Sequence, residues 1–131
     1  MSNPTSGHSR KPLDGVRVLD FTRVLAGPYC TALMADLGAD VIKVEAAHGD
    51  DYRHIGPFDQ GESLLFQSIN RGKRSITPDL KSESDIATIK AVLAETDVLV
   101  ENFRPGVMEK LRHGFDGFHE RFPALVYVSV S

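Results

Sequence analysis

Short apolar runs separated by helix-patterned stretches constrain what this chain can fold into more than any other feature of the sequence. The runs lie at residues 16–21, 41–44, 97–100 and 125–130 and are rich in valine, leucine and isoleucine. Each is too short for a helix, and turn residues such as Asp14-Gly15 bound them, so each reads as a buried strand. Between the first two, Gly27-Pro28 opens a stretch in which Leu33, Met34 and Leu37 recur at helical spacing before Gly38. Pro suits a first helical turn and Gly a helix stop. Ile86, Ile89, Val92 and Leu93 mark the apolar face of a second helix, with Ser82 and Asp85 at weak capping-box spacing before it. Strands alternating with helices fold as right-handed βαβ units around a parallel sheet. The prediction is an α/β fold, a Rossmann-like three-layer parallel sheet with flanking helices.

The pattern breaks down from residue 45 to residue 74, where Gly49, Gly56, Pro57, Gly61 and Gly72 punctuate the chain. A stretch this long without periodicity inside a compact domain is usually functional. A short helix at residues 63–68 is expected within it, and Ser75-Ile76-Thr77 reads as extended. Val107, Met108 and Leu111 predict a further short helix. Residues 1–12 are polar and aperiodic and read as a disordered arm, leaving residues 13–131 as one α/β portion.

A chain of 131 residues suits a single core. Its net charge of −3 makes no demand for nucleic acid or an anionic membrane as partner, and no apolar run approaches the roughly 20 residues that span a bilayer. One cysteine and no apolar leader point to the cytoplasm or another reducing compartment. That cysteine, Cys30, reads as a buried structural thiol on the apolar side of the first helix. The histidines are scattered without ligand spacing, so no metal site is expected.

Parallel sheets bind ligands at the carboxyl ends of their strands, which puts the loops after Phe21, Val44 and Val100 on the functional edge. The first of these, Thr22-Arg23-Val24-Leu25-Ala26-Gly27, lacks G-x-G-x-x-G, so a nicotinamide-dependent oxidoreductase is disfavoured even though Glu45 ends the second strand as a ribose-binding carboxylate would. Asn70-Arg71-Gly72-Lys73-Arg74 has the charges and backbone donors to hold phosphates, but by itself it reads more readily as a solvated basic loop. Glu101-Asn102-Phe103-Arg104-Pro105-Gly106, followed by Lys110 and Arg112, is equally a ligand loop or a set of helix-capping charges.

Six blocks, in this order, resemble one family: residues 12–21, Ala26-Gly27-Pro28-Tyr29-Cys30, residues 37–45, residues 70–76, Asp79-Leu80-Lys81 and residues 101–107. The chain resembles the N-terminal portion of the class III coenzyme A-transferases (CaiB/BaiF type), which include formyl-CoA transferase, carnitine CoA-transferase and α-methylacyl-CoA racemase. The resemblance implies an enzyme that moves coenzyme A from an acyl-CoA to a small carboxylic acid through an aspartyl covalent intermediate. The racemase branch would instead use an acid/base pair. A reading of another class is a non-catalytic module that holds coenzyme A or an acyl-CoA.

Carried over by position, the resemblance implies that coenzyme A, as substrate, touches Leu25, Ala26, Pro78, Asp79, Leu80, Lys81, Asn102, Phe103, Arg104 and Lys110. It implies a catalytic aspartate beyond Ser131, so no catalytic residue is expected in these 131 residues and they are expected to be inactive by themselves. It also implies a homodimer of interlocked chains for the full-length protein. Three positions depart from the family pattern. Leu25 stands in place of a glutamine found in formyl-CoA transferase. Ala46 stands in place of a nucleotide-binding arginine, and Pro78 in place of a leucine.

Overall fold

The computed structural model describes residues 9–108, 110 and 118–130. The sheet strands are β1 (Arg17–Asp20), β2 (Asp40–Val44), β5 (Arg74–Ile76), β6 (Val98–Glu101) and β7 (Val126–Ser129), all parallel, in the order β5-β2-β1-β6-β7. Strands β3 (Phe58–Asp59) and β4 (Glu62–Ser63) form a separate antiparallel hairpin. The helices are α1 (Ala26–Asp36), α2 (Leu64–Ile69), α3 (Glu83–Ala94) and α4 (Phe118–Arg121), with a 3₁₀ turn at Asp51–His54.

The α/β prediction holds, and all four expected strands are present within a residue or two of their expected ends. Residues 74–76 add a fifth strand beside β2. The sheet is apolar on both faces, as a doubly covered parallel sheet requires. Leu19, Ile42, Leu99, Ile89 and Leu93 pack in one core cluster that takes in α3, while Val18, Val41 and Val100 pack in another with Met34 and Ala35 of α1. Helices therefore lie on opposite faces, and the chain order reverses between β1 and β6. That reversal is the switch point where open α/β sheets form their ligand crevice.

Helix α1 turns a different face to the sheet from the one its leucines predict. Gly27, Pro28, Thr31 and Ala32 are buried, whereas Leu33 and Leu37 are exposed. Small residues let the helix lie close: a side chain at Gly27 would overlap that of Thr22. Cys30 falls off this face and is exposed, which corrects the expected buried thiol. Ser82 is the N-cap residue of α3, but its hydroxyl makes no capping bond. Asp85 Oδ2 instead accepts from the Asp79 N–H at 2.8 Å, tying α3 to the preceding loop. The expected helix at residues 63–68 is α2, beginning one residue later. Its N-cap Ser63 accepts from the Phe66 N–H at 3.2 Å. Val107, Met108 and Lys110 are helical. The expected arm's residues 1–8 and Leu111 lie outside the described residues.

Candidate functional site

At the carboxyl edge, β1 runs directly into the turn at residues 22–25, and side chains from four separate places fix that turn. Asp20 Oδ1 accepts from the Thr22 N–H at 2.8 Å. Lys43 Nζ, from β2, donates to the Thr22 carbonyl at 2.7 Å. Asn102, just past β6, accepts from the Arg23 N–H and donates to the Arg23 carbonyl, both at 2.8 Å. Asp50 Oδ1 takes the Val24 N–H at 3.4 Å. Val24 itself sits at φ +70°, a costly left-handed conformation for a β-branched residue and one that persists only where its surroundings enforce it.

Beneath the turn lies a layer of buried charge. Lys43 and Asp50 form a 3.0 Å ion pair with side chains 1% and 0% exposed. Lys73 and Asp20 form another at 3.0 Å, 2% and 0% exposed. Lys73 Nζ also donates to the Pro28 carbonyl and to Asn70 Oδ1, each at 2.8 Å, and Thr31 Oγ1 donates to Asp20 Oδ2 at 2.6 Å. Burial pushes the Lys73 ammonium below its ordinary range, against the pull of Asp20. Buried ions survive only with partners of this kind. The basic cluster at residues 70–74 is thereby dispersed: Arg71 pairs with Asp36, Arg74 with Asp40, and Lys73 is buried. Its charges neutralise the protein's own carboxylates, and the phosphate-holding reading of that cluster falls away.

Glu45, at the end of β2, is likewise engaged. Its Oε1 accepts from Arg53 Nη2 and Ser75 Oγ, each at 2.6 Å, and its Oε2 from Arg53 Nε and the Asp50 N–H, each at 2.8 Å. Burial acts to raise its pKa, but the Arg53 and Ser75 bonds and the Asp50 N–H outweigh it and hold the carboxyl at about 2. Arg53 in turn lies over the Phe66 ring, 3.8 Å from its centroid. With both oxygens occupied, Glu45 has nothing to offer a ribose, which removes the remaining feature of a nicotinamide site.

Above this layer opens a cavity of about 770 Å³. Phe21, Phe103, Val107, Pro78 and Leu80 give it apolar walls, Ala46 and Ala47 line it where the chain leaves β2, and Arg23, Lys81 and Lys110 bring positive charge to it. Phe103 is set by Glu101, whose Oε2 accepts the Phe103 N–H at 2.8 Å. The Phe103 ring packs edge-on to Phe21, with centroids 6.4 Å apart. The loop at residues 78–81 is an Asx turn, in which Asp79 Oδ1 accepts the Lys81 N–H at 2.9 Å.

Of the residues singled out in the sequence, Pro78, Asp79, Leu80, Lys81, Phe103 and Lys110 line this one cavity. Leu25, Ala26, Asn102 and Arg104 do not. Leu25 and Ala26 are exposed at the start of α1, Asn102 spends its amide on the Arg23 backbone, and Arg104 is exposed beyond the wall. Sequence reasoning missed Arg23. The first βα turn was its signal, set aside for want of glycines. Among the described residues no group of three or more His, Cys, Asp or Glu side chains is placed to hold a metal ion, and no helix is long and apolar enough to cross a membrane.

A doubly wound parallel sheet with an apolar, cation-bearing cavity at its switch point is the architecture in which open α/β sheets form their ligand crevices. The chain belongs to CoA-transferase family III, whose sequence pattern matches residues 13–131. It is 44% identical to the acetyl-CoA:oxalate CoA-transferase of Acetobacter aceti over 132 residues, an alignment spanning 100% of this chain and 34% of that protein. It is 45% identical to the succinyl-CoA:glutarate CoA-transferase of Mus musculus, over 94% of this chain and 29% of that one. A crystal structure of a CaiB/BaiF family protein from Brucella suis superposes with a TM-score of 0.84 at 40% identity, covering 94% of this chain and 34% of the other. The chain thus spans about a third of the length of these relatives.

Proposed function

We propose that the full-length protein carrying this chain is a CoA-transferase, exchanging coenzyme A between an acyl-CoA thioester and a small carboxylic acid, and that residues 13–131 form its coenzyme A-binding N-terminal portion. The relatives named for oxalate and glutarate transfer support the reaction class. The cavity carries the binding assignment: its apolar walls at Phe103 and Pro78 suit an adenine face, and its cations suit the phosphates of the same ligand. The nucleophile in this reading is an aspartate beyond Ser131, so these 131 residues bind but do not turn over. In this reading the enzyme works as a cytoplasmic homodimer of interlocked chains.

Since the net charge of these residues is −3, attraction for an anionic nucleotide has to come from the local cations. Lys81→Ala or Lys110→Ala in the full-length protein should weaken coenzyme A binding by ~1–3 kcal/mol, the scale of a charge-assisted hydrogen bond. Arg104→Ala should cost less, because Arg104 stands outside the cavity wall. Calorimetric titration decides it. Unchanged affinity in both lysine variants would remove the cavity as the nucleotide site.

A further inference from the structure

We propose that Arg23 is a phosphate-binding side chain of the cavity, delivered to it by the clamped turn after β1. This rests on the reading of the cavity as a coenzyme A site and adds a residue that the sequence comparison did not supply. Four observations converge on it. Arg23 is the arginine among the described residues lining the cavity. Its guanidinium lies 5.2 Å from the centroid of the Phe103 ring, so its plane is steered by an aromatic wall of the same cavity. Arg17, Arg53, Arg71 and Arg74 are each paired with a carboxylate, whereas Arg23 makes no ion pair among the described residues. Its backbone is held at both N–H and C=O by Asn102, and the next residue is pinned at φ +70° beside the buried Lys43–Asp50 pair.

The last observation separates Arg23 from an ordinary surface arginine. A long cationic side chain normally loses much conformational freedom when it binds. Here the backbone is already fixed, and the guanidinium already rests on a ring, before any ligand arrives. A guanidinium presents a planar fork that matches phosphate oxygens, which an ammonium does not. Ala46 and Ala47 line the same cavity without contributing a charge, so the chain leaving β2 brings no cation to it. Arg23 supplies a planar cation from the neighbouring strand end instead.

The test is calorimetric titration of the full-length protein and its Arg23→Ala, Arg23→Lys and Arg121→Ala variants with coenzyme A, dephospho-coenzyme A and pantetheine. Arg23→Ala leaves every bond of the clamp intact, since none of them is made to the Arg23 side chain, so it should fold as the parent does; matching unfolding temperatures check this. Arg23→Ala should weaken coenzyme A about tenfold, the equivalent of one charge-assisted hydrogen bond, while pantetheine affinity stays unchanged. Arg23→Lys should fall between parent and alanine variant. Arg121, exposed on α4, controls for net charge and should have no effect. A loss confined to coenzyme A places Arg23 on the 3′-phosphate, and an equal loss for dephospho-coenzyme A places it on the pyrophosphate. Coenzyme A binding that ignores Arg23→Ala overturns the assignment of Arg23 alone. So does an equal loss of pantetheine, or an equal loss in Arg121→Ala. A parent protein that binds neither nucleotide overturns the reading of the cavity with it.

Discussion

Asp20→Ala is expected to lower the unfolding free energy by about 3–5 kcal/mol, the usual cost of leaving one member of a buried ion pair uncompensated. Asp20 is wholly buried and accepts from the Thr22 N–H at 2.8 Å, the Thr31 hydroxyl at 2.6 Å and Lys73 Nζ at 3.0 Å, as well as from the Thr22 hydroxyl. Removing the carboxylate strands the Lys73 ammonium under α1 and frees the start of the turn at residues 22–25. A loss of that size is a large fraction of the stability of an ordinary domain. The double variant Asp20→Leu/Lys73→Met should recover the part due to the stranded ammonium, because an apolar pair avoids desolvating two ions, but not the part due to the freed turn, whose Thr22 N–H and Thr31 hydroxyl still lack the carboxylate. Urea unfolding of the full-length protein reads both. A cost below about 1 kcal/mol for Asp20→Ala, the range of exposed pairs, would mean that the pair is solvated.

Acid should weaken the protein through Glu45. Its carboxyl is held at about 2 against an ordinary value of 4.5. The folded state thus favours the ionised form, and the resulting stability is fully present above about pH 4.5 and lost as pH falls towards 2. The shift corresponds to roughly 3 kcal/mol, and the side chain is only 1% exposed, so little of it is screened. Glu45→Gln should flatten this acid limb. It should also destabilise the protein at neutral pH, since Arg53 loses its carboxylate partner over Phe66. Unfolding free energy followed from pH 7 to pH 2.5 in both proteins checks this. An identical pH slope in Glu45→Gln would assign the acid limb to other groups.

The sheet was legible in the sequence because its strands are buried on both faces. A strand such as residues 41–44 must be apolar nearly throughout, and short runs of that kind separated by helical spacing leave few alternatives. The face of α1 was not legible in the same way. Leu33 and Leu37 carry the hydrophobic signal, yet the sheet is met by Gly27, Thr31 and Ala32, whose small size permits the close approach. Their value lies in what they leave out, which a hydrophobic pattern does not register.

The buried charges were hidden for another reason. Lys43, Asp50 and Lys73 look like solvated residues in a linear reading, and only the fold brings Lys43 to Asp50 and Lys73 to Asp20. The candidate site was half legible. The loop at residues 78–81, Phe103 and Lys110 stood out through the family resemblance and line the cavity. Asn102, the amide expected to face a ligand, holds the backbone of the first βα turn, and Arg23, a residue of that turn to which the sequence reading gave no role, lines the cavity.

The most direct test of the central claim is a crystal structure of the full-length protein with coenzyme A. The account predicts the adenine beside Phe103 and the loop at residues 78–81, with the phosphates among Arg23, Lys81 and Lys110. A nucleotide bound away from the carboxyl ends of β1, β2 and β6, with this cavity empty, would contradict it.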